Sequence, residues 1–300
     1  EQMNADLGVD ILQEAIENLN RQKGESIRFK FLQNSIKVLY GIYNGDYQQI
    51  IKSCNHALQF FTDKVGVYPA YYLFFFQTKG TAQTAIGAYK KATESFQKSE
   101  LYTGTNLYNH YALQYYQTLN ALHAGQYSIA YERYQKNKRC KFEDIREQFA
   151  IIEAYLYFLS HTGYLQLDKT FRMRKYLNDT FKAQSDKQGS NINILIAELL
   201  VYLVRDKGKF IDRIEAVKDY SYRHLKGPET QRAKWFIKIL CLLPHSKVNF
   251  HAVALRRKAG RYIELLESHP VRMGEGFAVE IIPFDRLFQM IEEKVIKKAA

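Results

Sequence analysis

The sequence predicts an all-α protein built from consecutive pairs of antiparallel helices, and three observations carry that prediction. Only 5 Pro and 16 Gly occur in 300 residues, few for a fold with many tight strand turns and suited to long helices joined by short loops. Apolar residues recur at spacings of three and four along most of the chain, the period of a helix with one buried face. A turn of the form Gly-x-Tyr/Phe returns four times, at Gly45-Asp46-Tyr47, Gly87-Ala88-Tyr89, Gly125-Gln126-Tyr127 and Gly208-Lys209-Phe210. The 23 Tyr and 19 Phe supply the large side chains that fill helix-pair cores, with the Tyr hydroxyl at the wet edge.

The elements follow in order. Leu7, Ile11, Leu12, Ala15, Ile16 and Leu19 mark a lead-in helix ended by the polar run 20–24. A helix over 25–44 carries Leu32, Ile36, Leu39, Tyr40 and Tyr43 on one stripe. Its partner spans 47–61. Pro69 opens the next helix, where its missing N–H costs nothing, and the helix after the Gly87 turn runs from about 89 to 101. A further pair is expected over 106–124 and 127–137, then helical patterns at 149–159 and 171–181 around Gly163. After the polar break 184–190 come helices at 192–205 and 210–225, the second following a loop at 206–209. Gly227-Pro228 starts a helix that buries Trp235, Phe236, Ile239 and Leu240. Beyond it the pattern changes: 248–268 reads as one or two helices broken near Gly260, 277–282 as a short β-like run, and 284–298 as a closing amphipathic helix. The expected domains are therefore a repeat array over 1–247 and an atypical cap over 248–300.

Within 73–106 the order of residue types is specific. Phe76 takes a large site and Gly80 a helix-packing site, and after the Gly87 turn Ala92, Phe96 and Ser99 take small, aromatic and small sites. Ile50, Cys54 and Ala57 occupy the equivalent sites one unit earlier, and Ala130, Tyr134 and Asn137 one unit later, where Thr118 replaces the packing Gly. Over roughly 31–140 this resembles tetratricopeptide repeats, and 149–242 look like diverged pairs of the same array. The resemblance implies a right-handed α-solenoid whose concave groove binds a peptide or partner protein, and it implies no chemistry. The Lys and Asn clamp with which some members grip a chaperone tail is absent, since the corresponding sites hold Ser35, Leu39, Thr78, Ala112 and Tyr116. Gln77, Thr81 and Tyr115 are the positions expected to face the groove. Tyr108, Tyr111 and Tyr115 share one helix face and suit either a stacking surface or core packing.

Charge adds a second candidate. The formal net charge is +12, and most of it falls in the last third of the chain. Between 223 and 261, Arg223, Lys226, Arg232, Lys234, Lys238, Lys247, Arg256, Arg257, Lys258 and Arg261 face the single acid Glu229, a field that attracts nucleic acid or another polyanion unless acids elsewhere neutralise it. Enzyme signatures are missing: there is no phosphate-binding Gly-rich loop, metal-binding helix or nucleophile elbow. No cofactor and no metal are expected. His245 and His251 near Cys241 match no standard zinc spacing, and Gly274-Glu275-Gly276 is a lone flexible turn. Cys54, Cys140 and Cys241 are too dispersed for a disulfide framework, which fits a reducing, cytoplasmic location. The longest apolar run, 194–204, is too short to span a bilayer and contains Glu198. Three functions follow as expectations: a non-catalytic scaffold for a protein or peptide, a nucleic-acid or polyanion binder through 223–261, or a peptide-responsive regulator whose DNA-binding domain precedes Glu1. Oligomeric state is open.

Overall fold

The computed structural model describes residues 2–167, 172, 176, 191–227, 230–244, 252–271 and 280–296. Among them are thirteen α-helices and no strand. In order these are α1 (Gln2–Arg21), α2 (Ile27–Asn44), α3 (Tyr47–Phe61), α4 (Pro69–Ala85), α5 (Tyr89–Glu100), α6 (Leu107–His123), α7 (Tyr127–Asn137), α8 (Glu143–His161), α9 (Ile192–Arg205), α10 (Lys207–His224), α11 (Gln231–Leu240), α12 (Ala252–Ser268) and α13 (Phe284–Ile291), the last running into a π-helical turn, Glu292–Ile296. Helices adjacent in sequence pack as neighbours from α1 through α5 and from α7 through α13. Among the described residues no helix is long and apolar enough to cross a membrane. Contacts divide the chain into two compact units, Glu1–Asn120 and Ala121–Ala300.

One turn geometry recurs. Gly45, Gly87, Gly125 and Gly163 all take positive φ, at 67°, 76°, 75° and 79°, a conformation that glycine adopts without a Cβ penalty. At each, the Gly N–H donates to the carbonyl three residues back and the next N–H to the carbonyl five back, as in Gly45 to Ile42 (3.2 Å) and Asp46 to Gly41 (2.8 Å), repeated at Gly163 to Ser160 (3.1 Å) and Tyr164 to Leu159 (2.9 Å). This double bond satisfies the last carbonyls of a helix. Gly208 departs from the set. Asp206 accepts from the Lys209 N–H at 3.1 Å and caps α10, so the helix begins at Lys207 and the expected loop at 206–209 is mostly helical.

In the first unit all the second-helix repeat sites through Ser99 are buried: Ile50, Cys54, Ala57, Ala92, Phe96 and Ser99. Gly80 earns its place by proximity, because a Cβ there would stand 2.6 Å from the Phe96 ring. Phe96 packs with Ala92, Leu113 and Tyr116. Polar contacts tie helix to helix as well. Thr84 Oγ1 donates to Asn120 Oδ1 (3.0 Å), Asn120 Nδ2 to Thr93 Oγ1 (3.0 Å), and Ser95 Oγ to Gln83 Oε1 (2.7 Å). Such bonds satisfy buried groups that would otherwise each destabilise the fold.

The second unit buries Ala130, Tyr134 and Asn137 at the matching sites of α7, and a core of Phe149, Tyr155 and Phe158 on α8 beside the apolar α9. The Glu198 carboxylate of α9 accepts from Arg213 Nε of α10 at 2.9 Å, which explains an acid inside an apolar run. Phe236 of α11 stacks on Phe284 of α13 with centroids 4.7 Å apart. The expected break at Gly260 is absent, since α12 runs through it. Trp235, expected in the core, is half-buried while Phe236, Ile239 and Leu240 are buried. Of the expected β-like run, Glu280–Ile282 are irregular and 277–279 lie outside the described residues, as do 171, 173–175 and 177–181 of the expected helix at 171–181, 184–190, Pro228, His245, His251 and Gly274-Glu275-Gly276.

Candidate binding surfaces

Helix α2 is turned opposite to its hydrophobic pattern. Leu32, Leu39 and Tyr43 are 49%, 43% and 57% exposed, with Ile36 and Tyr40 half-buried between them. Its buried positions are Gln33, Asn34, Val38 and Gly41. Gln33 Nε2 donates to Asn20 Oδ1 at 3.3 Å, and Asn34 Nδ2 donates to the Lys30 carbonyl at 2.8 Å while its Oδ1 meets His56 Nδ1 at 3.2 Å. On the flank toward α4, Phe31 stacks on Tyr71 with centroids 3.9 Å apart. These polar and aromatic contacts fix the rotation of α2, and its aliphatic stripe is left facing out. An exposed apolar stripe bounded by paired polar groups is the informative case, because scattered surface Leu residues need no explanation.

The charges that α2 itself carries have one sign. Helix α2 contributes Arg28, Lys30 and Lys37 and no acid. Lys30 meets Glu25 of the preceding loop at 3.2 Å. Partial burial, then Lys30 and Lys52, hold the Lys37 ammonium below its ordinary range.

The three groove candidates lie deeper. Gln77 is half-buried, Thr81 is buried with Oγ1 donating to the Gln77 carbonyl at 3.0 Å, and Tyr115 is buried, with burial and then Tyr116 pushing its phenol well up. A ligand therefore reaches Thr81 and Tyr115 only by repacking the helices. The tyrosine stripe grades from exposed Tyr108 through half-buried Tyr111 to Tyr115.

Of the ten basic residues at 223–261, Lys247 lies outside the described residues and Arg232 faces inward. The Arg232 guanidinium makes a two-pronged bond to Glu280, reaches Asp285 Oδ1 at 3.2 Å and donates to the carbonyls of Leu266 and His269. Burial opposes its charge, but Glu280 and Asp285 outweigh that and hold it above its ordinary value. Beside this pair, His123 Nε2 meets the Glu280 carbonyl oxygen at 2.6 Å, and Arg286 donates to the His123 carbonyl at 2.7 Å. Burial pushes the His123 imidazole down to about 4. Arg232 thus docks the irregular segment 280–283 and is not available to an external anion.

The remaining cations stay outside. Arg223, Lys226, Lys238, Arg256, Arg257, Lys258 and Arg261 are exposed and Lys234 is half-buried. Arg256 pairs with Glu292 at 3.3 Å. Among the described residues no carboxylate pairs with Lys234, Lys238, Lys258 or Arg261. The Lys238 ammonium instead lies 5.2 Å from the centroid of the half-buried Tyr262 ring on α12. The three cysteines are free, and burial pushes the Cys54 thiol up to about 12 and Cys241 to about 11, which makes them poor nucleophiles.

Comparison with protein-family models, with curated proteins and with solved structures found no match.

Proposed function

We propose that the protein is a non-catalytic scaffold of tetratricopeptide-like repeats that binds a protein or peptide, with the outward stripe of α2 as part of the binding surface. The observation that carries this reading is the rotation of α2, which buries Gln33 and Asn34 and leaves Leu32, Leu39 and Tyr43 in water. Each is already about half covered, so covering the remainder contributes about 0.7–1.5 kcal/mol per side chain on docking, and a ligand that seats all three gains a few kcal/mol before other contacts form. In this reading the stripe lies on the concave side of a right-handed superhelix, and the setting is cytoplasmic. The surrounding cations favour a partner helix with apolar residues at i and i+4 and acids on its flanks.

Selection from a displayed library of helical peptides against the protein tests the reading. The expected winners carry that apolar and acidic pattern and lose at least tenfold in affinity to a Leu32→Asp, Leu39→Asp variant with unchanged circular dichroism. Winners that bind the variant as well as the parent would overturn it.

A further inference from the structure

We propose that the exposed flank shared by α11 and α12 is a binding surface for single-stranded nucleic acid, with phosphates held by Lys234, Lys238, Lys258 and Arg261 and a base stacked on Tyr262. This goes beyond the scaffold reading and uses residues of the second unit alone.

The contact between Lys238 and Tyr262 joins the two helices at their outer edge. Lys234 precedes Lys238 by four residues and so shares its face of α11. Lys258 precedes Tyr262 by four and so shares its face of α12, and Arg261 follows Lys258 by three on the exposed side of the same helix. The buried side of the helix is taken by Leu255, Ala259 and Leu266. Glu264 and Glu267, the exposed acids of α12, pair with none of the four cations.

Chemistry selects the ligand. Surface cations ordinarily settle on nearby carboxylates, whereas Lys238 rests on an aromatic face, a weak interaction that a phosphate readily displaces. Its departure opens the ring to a base. Cations interleaved with partly open aromatic rings make the combination that single strands use, backbone charge neutralisation plus stacking. An acidic protein or an anionic membrane would use the charges and leave the ring without a specific role.

Fluorescence anisotropy with a labelled oligouridylate of about twelve nucleotides tests this across a salt series. Four phosphate contacts on a single strand predict that log Kd rises with log salt at a slope of about 3. Lys238→Gln and Arg261→Gln should each lower that slope by about 0.7. Tyr262→Leu should weaken binding about tenfold at unchanged slope, and Tyr262→Phe should restore it. Lys90→Gln on α5, the same change of net charge elsewhere, should alter nothing. The proposal is overturned if the oligonucleotide is not retained at low salt, if Tyr262→Leu and Tyr262→Phe bind alike, or if polyglutamate or phosphatidylserine vesicles bind as tightly. Variants are compared by circular dichroism, and should Tyr262→Leu fail to fold, the two charge variants decide by their slopes.

Discussion

Replacing Gly80 with Ala sets two effects of opposite sign against each other. In a helix interior Ala is favoured over Gly by about 1 kcal/mol. The new Cβ, however, would lie 2.6, 2.8 and 2.9 Å from three atoms of the Phe96 ring, where carbon atoms normally rest about 3.5–4.0 Å apart. Phe96 is 1% exposed and packed among Ala92, Leu113 and Tyr116, so the ring has nowhere to swing and α4 must move off α5. Overpacking of this kind costs about 1–3 kcal/mol. Set against the propensity gain, this leaves Gly80→Ala up to about 2 kcal/mol less stable than the parent and well short of the gain expected without the clash. Gly260 supplies the control, since nothing lies within 4 Å of its added Cβ. Gly260→Ala should therefore gain about 1 kcal/mol. Urea unfolding followed by far-ultraviolet circular dichroism measures both. A Gly80→Ala variant that gains as much as Gly260→Ala would refute the close approach of α4 and α5 and the repeat register built on it.

Other perturbations probe the second unit. The folded-state value of about 4 for His123 lies below the ordinary 6.5, so the unfolded chain takes up the proton first, and stability present above pH 6.5 falls as pH drops toward 4. The loss attributable to this imidazole is about 2 kcal/mol by pH 5. Burial, against the pull of Arg232, raises the Glu280 carboxyl, which contributes in the opposite sense, so thermal melts of the parent and His123→Asn should be compared, with the variant showing the shallower acid loss. Arg232→Met strands Glu280 in the core and should cost about 3–5 kcal/mol in chemical unfolding, whereas adding Glu280→Met should recover much of it. At Gly125 the backbone has φ +75° and the Arg286 guanidinium lies 3.3 Å from an added Cβ; Gly125→Ala should lower the melting midpoint by several degrees, equivalent to about 1–2 kcal/mol.

The legible part of the fold was the part fixed by local chemistry. Gly45, Gly87 and Gly125 each end a helix in a conformation that few other residues accept, and the three sites that follow each turn are buried in all three units. Gly208 shared the spelling and not the geometry, because Asp206 offered a side-chain cap two residues earlier. Which face α2 buries is not written in its local pattern. Periodicity finds a stripe without saying which side of the helix it covers, and the bonds of Gln33 to Asn20 and Asn34 to His56 join residues far apart in sequence. Arg232 reads as one more surface cation in the sequence because its partner comes 48 residues later. Its spacing of four from Phe236 and seven from Ile239, both buried, was a signal that it sits on the core stripe. The convergence of Lys238 and Tyr262 needed the packing of α11 on α12, which spacing within either helix does not contain.

Hydroxyl-radical footprinting of α2 tests the central claim most directly, because it reads side-chain exposure residue by residue. In the free protein Leu32, Leu39 and Tyr43 should be labelled strongly and buried Val38 weakly, and a selected peptide should protect the first three. Weak labelling of those residues in the free protein, or labelling unchanged when the peptide binds, would contradict the account.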